Sequence, residues 1–327
     1  MLIRNIAIVG GTGFVGRRLA NRLAAEGYRL RLPTRNRERH KDDLILLPGL
    51  ELLTADVHDP RQLGLIFDGC DAVINLAGIL NERNGPTGSF QHVHVELTKK
   101  IITACRERGV KRLVHMSALN ASTSGTSAYL RTKGEAEVHV HAATDIQATS
   151  FRPSVIFGPG DSFFNRFAAL LKFSPVLPLA CPASRFTPVF VGDVAEAIAR
   201  ALTRPDCYGK RLHLGGPDQY TLEQLVRYTA DCLAIKRMIL PLPDLMARVQ
   251  AEVFDLWGFM FNLTGVEKPF STDNYLSLKT DSVCTTEDLS ALEITATSIN
   301  SVVPHYLGNK NHRSRYDSFR QRAHRRR

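Results

Sequence analysis

Tyr129 and Lys133 stand four residues apart in the stretch SAYLRTKGEAE, residues 127–137. On a helix that spacing puts both side chains on one face. A phenol and an ammonium so placed can act as a proton-transfer pair. The same spacing also occurs on an ordinary amphipathic helix. The elements around the pair decide between the two.

The strongest of these is at the start of the chain. IAIVGGTGFVG, residues 6–16, places Gly10, Gly11, Gly13 and Gly16 after an apolar run and at the start of a helical pattern. Read from Gly11 it is G-x-G-x-x-G; read from Gly10 it is G-x-x-G-x-x-G. Small residues permit a tight turn and let backbone N–H groups approach a pyrophosphate at a helix N-terminus. Alone the pattern is weak; within a strand–helix–strand unit it predicts a dinucleotide site. Gly10, Gly11, Thr12, Gly13, Phe14, Val15 and Gly16 are the candidate contacts.

The choice of dinucleotide depends on the end of the second strand. Sites for NAD usually carry an acid about 20 residues on, for the ribose hydroxyls. Here RLPTRNRER, residues 31–39, has no acid before Glu38. Arg35 lies 19 residues after Gly16, with Arg37 following and Arg17 just past the glycines. A guanidinium there suits the 2′-phosphate of NADP(H), so NADP(H) is expected over NAD(H). Asp56 and Val57, in TADVHD, are placed for the adenine. Leu76, Ala77 and Gly78, in NLAG, are placed for the ribose, with Gly78 letting the backbone pass close. Both segments end strands, where ligands bind in open α/β sheets.

The elements that must hold these residues follow from periodicity. NIAIVG, YRLRLP, LELLTADV, DAVINLAG, RLVHMSA and QATSFRP read as six strands. Helical patterns lie between most of them, notably over 89–108 and 128–142. Such alternation implies an α/β fold with a doubly wound, Rossmann-type parallel sheet over residues 1–155. After Pro153 the texture becomes Pro-rich and less regular. VGDVAEAIARAL reads as a helix and KRLHLGG as a strand, so elements near 186–215 are expected to return to the sheet. Residues 156–307 otherwise read as a smaller, irregular C-terminal domain for a substrate or partner. There, Leu245, Met246, Val249, Val253, Leu256, Trp257 and Met260 recur at helical spacing. That pattern most often means core packing; the other reading is an amphipathic face toward a membrane or a large partner.

Bulk properties narrow the class. A chain of 327 residues, 44% hydrophobic and 23% charged, is ordinary for a globular protein. No stretch reaches the roughly 20 apolar residues of a membrane span. MLIRNIAIVGG runs straight into a strand, which leaves no room for a targeting peptide and implies a cytoplasmic protein, peripheral at most to the inner face of a membrane. Six scattered cysteines, none in C-x-x-C, imply free thiols and no metal site. The net charge of +10 is uneven: residues 309–327 hold eight Lys or Arg and one Asp, a net +7, leaving +3 for the remaining 308 residues. Residues 308–327 are therefore expected to be a disordered basic tail, with an acidic surface as partner or merely a solubilising role. No aromatic-interleaved basic face accompanies it, which argues against nucleic acid.

With these pieces together, the chain resembles the short-chain dehydrogenase/reductases, in their extended and atypical branches within the NAD-dependent epimerase/dehydratase superfamily. HMSALNASTSGTSAYLRTKGEAE carries the family's Ser…Tyr-x-x-x-Lys arrangement as Ser117, Tyr129 and Lys133. FRPSVIFGPGD and FTPVFVGDVAEAI resemble segments of nucleotide-sugar epimerases and dehydratases. HMSALNA, YLRTK, RPSVIFGPGD, NRFAALLKFSPVLPL and DNYLSLKTDSVC resemble the branch that contains the NADPH-binding accessory subunit of respiratory complex I. The resemblance runs from about residue 3 to 307.

It implies that Tyr129 is the general acid/base and that Lys133 lowers its pKa and holds the nicotinamide ribose. Ser117 would bond the substrate oxygen, and Pro153 would line the cofactor site. Hydride transfer belongs to the cofactor. Extended members usually carry Asn where this chain has His94, which could relay protons in its place or simply be a half-buried helix residue. The family allows a homodimer and leaves the small-molecule substrate unnamed. The branch allows three roles: an oxidoreductase, a nucleotide-sugar epimerase or dehydratase, and an NADPH-holding structural or assembly factor for a respiratory complex.

Overall fold

The structure, a computed structural model, describes residues 3–44, 46–82, 85–256 and 270–308. Its N-terminal strands are β1 (Asn5–Val9), β2 (Arg29–Thr34), β3 (Leu50–Thr54), β4 (Ala72–Asn75), β5 (Arg112–Met116) and β6 (Gln147–Pro153). The short pieces β7 (Ile156–Phe157), β8 (Val176–Leu179), β9 (Arg185–Phe186) and β10 (Val189–Phe190) pair outside the main sheet. β11 (Arg211–Leu214) returns to it, parallel to β6. The main sheet has seven parallel strands in the order β11-β6-β5-β4-β1-β2-β3. The expected Rossmann-type sheet is therefore present, and its order reverses between β1 and β4, where a crevice opens at the strand C-terminal ends.

Both faces of the sheet are covered, which is why its strands read as unbroken apolar runs. Ile6 and Ile8 pack under α1 (Phe14–Ala25) and α7 (Val191–Thr203), against Leu19, Leu23, Val194 and Ile198. Ala7 and Val9 point the other way, toward α3 (Pro60–Phe67), α4 (Leu97–Glu107) and α5 (Ala128–Ala142), where Phe67, Leu97, Ile101 and Val140 wait. Each fully buried Leu or Ile here contributes about 1.5–3 kcal/mol. A π-helical turn, Gln91–Glu96, leads directly into α4. The short α2 (Arg37–Leu44) follows β2.

A second core joins α6 (Phe163–Phe173), α8 (Leu222–Cys232), the helix Ile299–Leu307 and the pair β8–β13 (β13, Met238–Pro241). The two-residue β12 (Tyr220–Thr221) starts α8, whose Thr221 and Gln224 form a capping box. α9 (Asp244–Leu256) corrects the sequence reading. Among the described residues, its apolar contact with the protein is made by Ala247 and Ala251, beside Tyr275 and Ala180. Leu245 is 74% exposed, and Met246, Val249 and Val253 are exposed as well. The larger apolar residues do not form core, because the small alanines face inward and set the helix close to its neighbour. The side chain of Leu256, and Trp257, Met260 and the basic tail, lie outside the described residues.

Candidate active site

The glycine turn is built by close approach. Gly10 has φ +78°, and a Cβ there would lie 2.9 Å from the Ala77 nitrogen. A Cβ on Gly16 would lie 2.5 Å from the carbonyl oxygens of both Gly10 and Gly11. These two glycines let the turn fold onto β4 and onto the first turn of α1. Gly13 is exposed and would meet only the Gly10 oxygen, at 3.2 Å. α1 starts at Phe14 with no side-chain cap and no acid in its first turn. Its free N–H groups and positive dipole end therefore face the crevice, with Thr12, Phe14 and Val15 partly exposed around it. This cradle fits a pyrophosphate.

The other residues expected to meet the cofactor lie at or just past the C-terminal ends of β2, β3, β4 and β6. Arg35 is exposed just past β2, close enough to His58 for its charge to oppose protonation of that ring. Asp56 is exposed, with Oδ1 accepting the His58 N–H at 2.9 Å, and Val57 is half-buried beside it. Leu76 and Ala77 are half-buried at the end of β4, where Asn75 Oδ1 accepts the Ala77 N–H at 3.1 Å. Pro153 is buried at the end of β6, its carbonyl accepting the Leu119 N–H at 3.0 Å.

α5 brings the Tyr–Lys pair to this crevice. Ser127 caps the helix, accepting the Leu130 N–H at 3.1 Å. Lys133 is buried, and its ammonium donates to the Met116 carbonyl at 3.0 Å. A Cβ on Gly78 would sit 3.0 Å from Lys133 Nζ. The lysine thus faces the bare backbone at the end of β4, where a ribose could reach it. Tyr129, one turn earlier, packs edge-on against Phe90 and His94, with ring centroids 5.9 and 5.6 Å away.

Ser117 is buried at the end of β5. Its hydroxyl makes no hydrogen bond of complete geometry, yet it lies near enough to Glu137 to help keep that carboxylate ionised. Glu137 is two turns past Tyr129 on α5 and is held by Arg152, at 2.9 Å, and by Arg211.

Burial dominates the electrostatics. The Tyr129 phenol is pushed up to about 12 by burial and by the Asp273 carboxylate. That is opposite in sign to the depression expected from Lys133. Lys133 is pushed down to about 8 by burial alone. His94 is more enclosed than expected: it is buried, and burial with the Lys133 charge lowers it to about 2. Its Nε2 accepts the Ile79 N–H at 3.3 Å, so the ring proton is on Nδ1, 2.9 Å from Thr132 Oγ1. The Thr132 hydroxyl in turn donates to the Ala128 carbonyl at 2.8 Å. Both ring nitrogens are thus engaged in a neutral tautomer, which removes His94 as a proton relay.

The profile of the NAD dependent epimerase/dehydratase family matches residues 6–215. The chain belongs to that family. It is 32% identical over 291 residues to the mouse mitochondrial NADH dehydrogenase [ubiquinone] 1 alpha subcomplex subunit 9, covering 88% of this chain and 74% of that one. It is 30% identical over 263 residues to the ceramide reductase of Caulobacter vibrioides, covering 80% of each. Among solved structures, the UDP-glucuronic acid 4-epimerase of Bacillus cereus superposes with a TM-score of 0.70 at 15% identity, over 93% of this chain and 98% of that one, and shares the fold.

Sequence reasoning missed one part of the site. The segment Ser271–Cys284 crosses it and is stitched to three loops at the strand ends. Asn274 Nδ2 donates to the Leu80 carbonyl at 3.2 Å, Asn120 donates to the Asp281 carbonyl at 2.8 Å, and Ser154 donates to the Ser282 carbonyl at 2.6 Å. Its motif, DNYLSLKTDSVC, was legible as a family resemblance. No spacing rule ties it to a tyrosine some 144 residues earlier.

Proposed function

We propose that this protein binds NADP(H) and reduces a carbonyl group, with Tyr129 as proton donor. The observation that carries it is the Lys133 ammonium facing the bare Gly78 backbone, one helical turn from Tyr129, beside a glycine turn shaped for a pyrophosphate. The bound dinucleotide would supply the hydride. Gly10, Gly11, Gly13 and the N-terminus of α1 would hold its phosphates, with Thr12, Phe14 and Val15 around them. Asp56 and Val57 would take the adenine, and Leu76, Ala77, Gly78 and Pro153 would line the ribose and nicotinamide side. Arg35 would select NADP(H) over NAD(H), because the nearest acid, Glu38, is engaged by Lys41 at 2.6 Å. Lys133 would hold the ribose. Tyr129 would donate its proton to the carbonyl oxygen as the alcohol forms, and Ser117 would bond that oxygen. The high proton affinity of Tyr129 keeps it loaded at neutral pH. The similarity to a ceramide reductase supports a lipid-like substrate bearing a ketone or secondary alcohol.

A second reading, an NADPH-holding subunit or assembly factor of a respiratory complex, is supported by the mouse relative and by the neutral, engaged His94. The exposed apolar residues of α9 would then meet the partner or a membrane surface. Nucleotide-sugar epimerisation, the third reading, is supported by the family alone. One experiment separates them. The purified chain is offered NADPH or NADH with 3-oxo-ceramide, or NADP+ or NAD+ with UDP-glucuronic acid, and cofactor oxidation and sugar products are followed. NADPH oxidation with the ketone, lost in Tyr129→Phe while cofactor binding is retained, is the expected result. Turnover by Tyr129→Phe at the parental rate would overturn the proton-donor assignment. Tight NADPH with no turnover of either probe would favour the structural reading.

A further inference from the structure

The first turn of α5 is capped from outside the helix. Asp273 Oδ1 accepts the Ala128 N–H at 2.6 Å, and both carboxylate oxygens lie 3.3–3.4 Å from the Tyr129 nitrogen. The N-terminal N–H groups of a helix have no partner within it, and a carboxylate there satisfies them and matches the dipole. Ser127 already caps the next N–H, so the two residues together fix the turn that carries Tyr129.

Asp273 is itself held firmly. It lies on the helix Thr272–Leu278, which Ser271 caps at the Asn274 nitrogen, at 3.2 Å. Ser277 donates to Ser127 Oγ at 2.7 Å, and Thr126 donates to the Leu276 carbonyl at 3.2 Å. On its other side the helix is tied to α9. Tyr275 donates to Asp244 at 2.6 Å, Lys279 pairs with the same carboxylate at 3.1 Å, and Asp255 accepts the Thr272 N–H at 2.9 Å. A chain of direct contacts therefore runs from α9 to the backbone of Tyr129.

We propose that Asp273 is a positioning residue for Tyr129: its carboxylate, delivered by the C-terminal segment, fixes the first turn of α5 and so sets the place and the electrostatic surroundings of the phenol. This rests on the reading of Tyr129 as proton donor. Among the described residues, the groups around the phenol are few. Lys133 lies one turn on along the same helix, and His94, neutral, packs edge-on against the ring from the π-helical turn, together with the apolar Phe90 just before it. Asp273 is the anion from the C-terminal side, itself influenced by Glu82 and Arg131. Removing its charge stabilises the phenolate, so the tyrosine pKa falls. Reduction needs the protonated phenol, and its loss at high pH then begins at lower pH.

Asp273→Asn keeps an oxygen at the cap and removes the charge; Asp273→Ala removes both. The full chain is labelled with fluorotyrosine, and the Tyr129 resonance is assigned by its absence in Tyr129→Phe. Fluorine NMR then follows its titration, with no substrate required. In Asp273→Asn the resonance should titrate lower by about half a unit to one unit. NADPH affinity should stay within about twofold, since the Asp273 carboxylate is engaged by the backbone of α5. With 3-oxo-ceramide, the alkaline limb of kcat should move down by the same amount. Asp273→Ala should lose about tenfold or more in kcat with little change in KM. A Tyr129 resonance that titrates alike in parent and Asp273→Asn would overturn the inference, even if Asp273→Ala fails to fold. A shifted resonance in a chain whose Tyr129→Phe variant still turns over would uphold the coupling and refute the proton-donor role instead.

Discussion

His94 and His115 should make this protein sensitive to mild acid. Both are buried and held neutral. His94 is lowered from 6.5 to about 2 and His115 from 6.5 to about 3, in each case chiefly by burial and then by the Lys133 charge. The sign follows from which state binds more protons. Below pH 6.5 the unfolded chain protonates these rings and the folded chain does not, so stability falls as pH falls. Going from about pH 7 to about pH 5, each histidine removes about 2 kcal/mol, or about 4 kcal/mol together. The result barely depends on the folded values, provided both stay below about pH 4. His58 and His141 are lowered too and add in the same direction. Glu137, held at about 2, acts in the same direction, but its contribution is lost only as pH falls below its ordinary 4.5, outside this window. The assay is urea unfolding followed by circular dichroism at both pH values. His94→Gln and His115→Asn each cost stability at pH 7 but should shrink the drop between the two pH values by about 2 kcal/mol. A parent equally stable at both pH values, or variants that lose as much as the parent, would refute the assignment of neutral buried rings.

Three further outcomes test the cofactor site and the tail. Arg35→Asp should weaken NADPH by about tenfold or more, the worth of one charge-assisted hydrogen bond, and NADH far less; equal affinities in variant and parent would remove the phosphate assignment. Gly16→Ala places a methyl 2.5 Å from two backbone oxygens that cannot step aside, so dinucleotide binding should be lost and thermal stability lowered. A variant that binds as the parent does would show that the turn can open. Deleting residues 309–327 should leave melting temperature and NADPH affinity unchanged, and a collapse in either would show that the tail is structural.

Much of the molecule was legible because it is local. The glycine turn, the strand–helix alternation and the Tyr-x-x-x-Lys spacing each express backbone geometry within a few residues. Gly10 and Gly16 could be read from sequence because only glycine tolerates the contacts they make. The doubly wound sheet followed from unbroken apolar strands, since a parallel sheet buries both faces. What the sequence could not decide is what depends on distant neighbours. The apolar spacing of α9 suggested core, but helical periodicity does not say which face meets the protein, and the two alanines took that place. The proton affinity of Tyr129 was expected to fall because Lys133 is near in sequence. It rises because of burial and of Asp273, brought in from the far end of the chain. His94 could be read as a relay until tertiary contacts with Ile79 and Thr132 engaged both of its nitrogens. Spacing along the chain placed the reactive groups on their elements. Desolvation and long-range contacts, which exist only once the chain has folded, set their protonation.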